Sequence, residues 1–274
     1  MYRAMSADDH REGLGLRPGY RVDGLILHGC AQEHPLAMMH DALTSLGHEV
    51  GMTGPVTSLP TLRTAIVDGH NLWHARVYGG ALACELTHLA CVLGASCAVF
   101  IGTCGGLLDD AEAGDHLVPD AVHADESSTR AYEDPDGDRL HCADPSLPGE
   151  FVQALTDLGH PVRRGRTLTR QAQLAESWAD IRAWRDEGWA AVEMEAASVL
   201  APAAAIANPA AVIRVIADSL VAGQSVFDPD IRAGRTRRRA AIAAAYTASL
   251  PVMLARVDAA ASAAEPLPIP EVAP

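Results

Sequence analysis

Aromatic side chains are scarce. Three Phe, four Trp and five Tyr make up 4% of 274 residues, so the 49% hydrophobic content rests on Ala, Val, Leu and Ile. That content can bury a sizeable core, and one large α/β domain suits it better than two. Positive charge is also lacking. A net charge of -14 and a pI near 5.2 repel nucleic-acid backbones and anionic membrane surfaces, leaving a small molecule as the fitting partner. The cysteines (Cys30, Cys84, Cys91, Cys97, Cys104, Cys142) form no CxxC pair and no regular framework. The first twenty residues lack the apolar core of a signal peptide, so a reduced, cytoplasmic protein is expected. No apolar run of the roughly 18 residues that span a bilayer is expected either. His28, His34 and His40 recur every six residues and His70 and His74 lie four apart, but neither spacing matches a strong metal pattern. No metal and no cofactor are expected.

Residues 1–20 read as a mobile leader and 258–274, rich in Ala and Pro, as a disordered tail, leaving a working domain over 21–257. A first strand, Gly24–Leu27, runs into the loop His28–Pro35, and helical spacing follows from Leu36 to Leu46. Strands at 64–67 and 72–77 flank Asp68-Gly69, a hairpin turn pair. The helix 81–93 ends at Gly94. Cys97–Ile101 is then wholly apolar, as strands of a sheet covered on both faces are, and it ends in Gly102-Thr-Cys-Gly-Gly106. Glycines there let backbone come close to a ligand at the carboxyl ends of strands. Further strands are expected at 116–118, 166–169, 190–192 and 211–216, and helices at 147–158, 195–207 and 235–255. The basic run within Arg232–Arg239 reads as a solvated or subunit-facing turn of the last helix.

Glu193 and Glu195 stand two apart around Met194 in a segment of small apolar residues. An ionised carboxylate taken out of water needs donors. Two sources fit: a ligand diol such as ribose, or the positive N-terminal end of a helix. Asp218 similarly reads either as a turn residue before Ser219 or as an acid at the end of an apolar strand.

Four stretches occur in a recognisable order: the Gly29 loop; Ile101–Leu107 with Gly114-Asp-His-Leu-Val118; Val192-Glu-Met-Glu195; and Ile213-Arg-Val-Ile-Ala-Asp-Ser219. Over about residues 24–255 the chain resembles the nucleoside phosphorylase and nucleosidase superfamily. The resemblance implies a single-domain three-layer α/β fold, with a central mixed, mostly parallel twisted sheet flanked by helices. It implies cleavage of an N-glycosidic bond in a small-molecule nucleoside by a homo-oligomer, a dimer or a trimer of dimers. Glu195 would bind the ribose 2′- and 3′-hydroxyls, Met194 would pack on the sugar and Glu193 would shape the pocket. Asp218 would sit at the base and protonate N7 of a purine, so that the base leaves neutral.

The departures bear on the nucleophile. Phosphorylases of this superfamily hold phosphate with arginines, in the first glycine loop, from a neighbouring subunit, and two residues before the Gly-Thr turn. Here the last position is Phe100, and Gly29-Cys-Ala-Gln-Glu-His34 has no arginine; Arg63 is the one candidate near the borrowed position, in poor register. Phe, Gln and Glu cannot supply a guanidinium fork. In the hydrolytic relatives the first loop carries glutamates that position water, a role that Glu33 or His34 would take. Water is therefore preferred over inorganic phosphate. An anion pocket formed by Gly29, Phe100, Thr103, Cys104 and Gly105 keeps phosphorolysis open. Arg170, Gln171 and Gln173 either read the base or form a solvated loop, and His123, Asp125, Glu126 and Tyr132 are candidates for the mouth. A non-catalytic nucleoside-binding module is the remaining alternative.

Overall fold

The computed structural model describes residues 2–29, 34–56, 59–133 and 137–263. Its strands are β1 (Gly24–Gly29), β2 (Val50–Val56), β3 (Leu59–Val67), β4 (His70–Arg76), β5 (Ala98–Gly106), β6 (His116–Asp125), β7 (Leu140–Cys142), β8 (Val162–Arg170), β9 (Ala191–Glu193) and β10 (Ala210–Ser219). Its helices are α1 (Ala7–Gly13), α2 (Pro35–Ser45), α3 (Gly80–Val92), α4 (Leu147–Asp157), α5 (Trp178–Asp186), α6 (Ala196–Ala205), α7 (Pro229–Ala233) and α8 (Arg235–Ala263).

All ten strands join one sheet. Successive side chains of a strand point to opposite faces, so an apolar run must be covered on both. Ile26, Val99, Ile101, Ile213 and Val215 pack with Ile242, Tyr246 and Met253 of α8 on one face. Leu25, Leu27, Phe100 and Val212 pack with Leu86 of α3 and Val199 and Leu200 of α6 on the other. Each such side chain contributes roughly 1.5–3 kcal/mol on burial. Three layers result. The sheet is mixed and mostly parallel, as expected: β4, β1, β5 and β10 form a parallel centre and β6–β8–β9 adds the other parallel ladders, while β2 and β3 at one rim and the shorter β10–β6, β6–β7 and β5–β9 pairings are antiparallel.

The expected hairpin is β3–β4, and Asp68 (φ 48°) and Gly69 (φ 88°) both take the left-handed conformation that a tight turn of this kind requires. Within the expected leader, α1 forms behind a Ser6–Asp9 capping box. Leu14, Leu16 and Tyr20 pack against the core, and the buried Trp73 indole donates to Tyr20 Oη at 2.9 Å. The last helix runs beyond its expected end, through 263; residues 264–274 lie outside the described residues. Contrary to the sequence expectation, α8 is long and apolar enough to cross a bilayer, by length and composition. More than half of that stretch is buried inside the fold, as in a core helix.

Candidate active site

The carboxyl ends of β1, β5 and β10 lie together because these strands pair in parallel, and they open on a cavity of about 580 Å³. Gly29, Thr103, Cys104, Gly105, Glu193, Met194, Glu195, Gln173 and Asp218 all line it. Five separate stretches of the sequence thus meet in one place.

Gly29, Gly102 and Arg214 form a row across β1, β5 and β10. Gly102 leaves room for the Arg214 side chain, which is completely buried: a Cβ there would collide with Nη1. A Cβ on Gly29 would stand 2.6 Å from the Phe100 ring and 3.1 Å from Glu195 Oε2, so close approach of backbone is what this position requires. The Arg214 guanidinium lies over the Phe100 ring, 4.2 Å from its centroid. Its Nη2 pairs with Glu193 Oε2, and its Nη1 reaches Glu195 Oε2 at 3.7 Å and the Thr103 carbonyl at 3.4 Å. Phe100 therefore does not face the cavity as expected. It lies beneath the floor and supports a cation supplied by another strand.

The two glutamates divide the two sources of donors between them. Glu193 accepts from the backbone N–H groups of Glu195 (2.9 Å) and Ala196 (2.8 Å) at the start of α6, from the Thr169 hydroxyl and from Arg214. Its oxygens are satisfied within the protein, so the ribose-binding role expected of it does not suit its surroundings. Glu195 accepts from Gly79 N at 2.8 Å and from the Met194 backbone, and it lines the cavity. Gly79 sits at φ 87°, a conformation that turns its N–H inward after Tyr78. Burial pushes the Glu195 carboxyl up to about 7.

Asp218 enters through an irregularity: the β10–β5 register slips between Ile216 and Asp218, and such a bulge re-aims a side chain. It is 3% exposed, and burial raises its pKa to about 6. Cys104 is pushed up to about 12 by burial, which keeps its thiol protonated and makes it a poor nucleophile. Of the base-loop candidates Gln173 alone lines the cavity. Arg170 instead pairs with Asp125 at 2.7 Å and stacks on Trp184, and Gln171 is exposed beside Gly79 and Gly80. Glu126 binds Thr129 N and Ser198, Tyr132 binds His88, and His123 packs on Trp189, so with Asp125 they form structure beside the cavity rather than its mouth. His34 is exposed ahead of α2 and does not line the cavity; Glu33 lies outside the described residues. Among the described residues no group of three or more His, Cys, Asp or Glu side chains is placed to hold a metal ion.

A family model described as the phosphorylase superfamily matches residues 80–249. The chain belongs to the phosphorylase superfamily. A curated member, guanosine phosphorylase from Halorubrum lacusprofundi, is 33% identical over 128 residues, covering 44% of this chain and 50% of that protein. The aligned chain thus spans about half the length of that relative. Among solved structures, the superfamily fold is shared with 5′-methylthioadenosine/S-adenosylhomocysteine nucleosidase from Campylobacter jejuni (TM-score 0.63, 18% identity, 82% of this chain and 98% of that one). It is shared also with futalosine hydrolase from Helicobacter pylori (0.64, 18%, 85% and 99%) and uridine phosphorylase from Vibrio fischeri (0.66, 16%, 85% and 94%).

Several residues of this superfamily site escaped the sequence reading. Arg214 had a signal, a lone arginine inside the apolar run Ala211–Ile216, which has to be paired if buried. Glu176 lines the cavity half-buried with its carboxyl raised to about 7 by burial and by Asp218, and nothing in its local sequence marks it. Tyr78 and Phe227 reach the rim from loops, and Arg232 of α7 with Arg235 and Arg238 of α8 complete it, a placement that the basic run by itself does not reveal.

Proposed function

We propose that this protein cleaves the N-glycosidic bond of a purine nucleoside, or of one modified at its 5′ carbon, with water as the attacking group. In this reading the ribose 2′- and 3′-hydroxyls donate to Glu195. Asp218, whose pKa is raised toward neutrality by burial, donates to purine N7 in its protonated form. The bond from C1′ to the base then breaks toward a neutral leaving group, and a water oxygen bonds to C1′ while its proton passes to an acceptor. The first-loop residue Glu33 is the candidate acceptor.

One observation carries the choice of water: the guanidinium of Arg214, buried behind the cavity wall, is taken by Glu193, with Glu195 close by. A guanidinium paired in this way has no free fork for a phosphate dianion, whereas water needs none. Phosphorolysis is the second reading, supported by the guanosine phosphorylase relative and by the Thr103–Gly105 turn on the cavity wall. A reduced, cytoplasmic homo-oligomer is part of the same reading. The test is incubation with adenosine, inosine, guanosine, methylthioadenosine and uridine, with and without phosphate, and identification of the sugar. Free ribose without phosphate is expected; ribose 1-phosphate formed only when phosphate is present overturns the hydrolytic reading.

A further inference from the structure

The basic run that reads as a solvated helix turn does not spend all its charge on solvent or on surface carboxylates. Arg237 pairs with Glu112 at 2.9 Å and Asp115 at 3.1 Å, away from the cavity. Arg232, Arg235 and Arg238 line the same cavity as Glu195 and Asp218. Arg238 donates to the Ile231 carbonyl, which fixes its stem, and its charge reaches Asp218. Among the described residues the side chains of Arg232 and Arg235 have no hydrogen bond and no ion pair. Three guanidiniums on one wall repel one another. In a chain of net charge -14 such a cluster is a local reversal of the molecular field. The nearby acid Asp228 does not neutralise it by contact, since its Oδ2 accepts from Ser225 N at 2.7 Å.

Two aromatic rings stand on the rim of this cavity. Tyr78 and Phe227 are 65% and 66% exposed in a protein with twelve aromatic residues, and both line the cavity. A guanidinium recognises carboxylate or phosphate by its planar fork, while rings accept an apolar or flat portion. Resting on the reading above, the ribose diol is taken by Glu195 and the base by Asp218. The ribose position left free for a further group is then the 5′ carbon.

We infer that the substrate carries an anionic group, phosphate or carboxylate, on its 5′ substituent, seated by Arg232, Arg235 and Arg238 with Tyr78 and Phe227 flanking it.

The full-length protein is assayed at low ionic strength for hydrolysis and, by calorimetry, for binding of inosine and adenosine, their 5′-monophosphates, and adenosine 5′-carboxylate. A charge-assisted contact is worth about tenfold, so the anionic compounds are expected to exceed the parents by at least roughly that factor in kcat/KM and in affinity. The ratio is expected to fall toward one in Arg232→Gln/Arg235→Gln and on adding salt. A preference shared by the carboxylate and the monophosphates assigns the cluster to substrate charge. A preference abolished by millimolar inorganic phosphate that itself yields ribose 1-phosphate from the parent nucleoside assigns it to a phosphate co-substrate and overturns the inference. Equal handling of parent and anionic compounds, or loss of both alike in the variants, also overturns it. Absence of cleavage in every arm defeats the enzymatic reading instead, and the affinity ratio still decides the role of the arginines.

Discussion

Asp218 is costly to the fold in its ionised form, because 3% exposure leaves its charge almost without water. A group whose folded pKa is raised, here from 3.8 to about 6, contributes its stability fully below the unfolded value and loses it as pH rises through the folded one. Asn keeps the shape and never ionises. Asp218→Asn is therefore expected to match the parent near pH 4 and to exceed it by roughly 2–3 kcal/mol above pH 6, read from urea midpoints across that range. Its turnover is expected to fall about 10²–10⁴-fold, the contribution of a positioned general acid. Unchanged turnover removes Asp218 as the proton donor. A stability that drops with the activity points instead to a structural carboxylate.

At the scale of elements, the site is a joint between β5, β9, β10 and α6, tied by Glu193 and Arg214. Glu193 holds the first amides of α6 and the buried guanidinium at once. Removing one partner of such a pair leaves an uncompensated buried charge at a cost of about 3–5 kcal/mol, whereas replacing both is often tolerated. Glu193→Ala is expected to lose that much in chemical denaturation. Glu193→Gln/Arg214→Met is expected to lose less, and a double variant as unstable as the sum of its single changes would show that the two side chains act independently. Here too lies the boundary of what the sequence told. The hairpin at Asp68-Gly69, the apolar strands and α3, α4 and α6 follow from local periodicity and turn chemistry, and their expected bounds lie close to the observed ones except that β3, β5, β6, β8, β10 and α8 run longer. That Arg214 lies across Gly102 follows from a β10–β5 pairing between residues more than a hundred apart, and no local pattern carries that register. The same pairing explains why Phe100 went under the floor and why Glu193, unlike Glu195, was removed from ligand binding. The sequence leaves Arg170 either at the base or in a solvated loop, and its Asp125 partner is set by the β6–β8 pairing.

Across the whole molecule, buried acids and buried bases oppose one another. Glu176, Glu195 and Asp218 have raised pKa values, about 7, 7 and 6, so the folded state takes up their protons first as pH falls and gains stability relative to the unfolded chain. His28 and His74 share the Tyr246 hydroxyl at 3.1 Å each, beneath α8, and burial lowers them to about 3 and 4. Their neutral forms are secure in the fold above pH 6.5. As pH falls from 6.5 toward 4 the unfolded chain binds protons that the folded one refuses, and stability is lost. Three protons favour the fold over this range and two oppose it, so stability is expected to rise as pH falls from 7 to 5, by up to about 1.4 kcal/mol per pH unit for the one unopposed proton. Glu176→Gln/Asp218→Asn removes two of the three. The histidines then outnumber the remaining acid, and stability should decline with falling pH by up to about 1.4 kcal/mol per pH unit for each unopposed proton. Urea titrations of parent and double variant at pH 7, 6 and 5 measure the two slopes. Parallel slopes would mean that the carboxyls of the cavity and the histidines under α8 do not set the acid response of this fold.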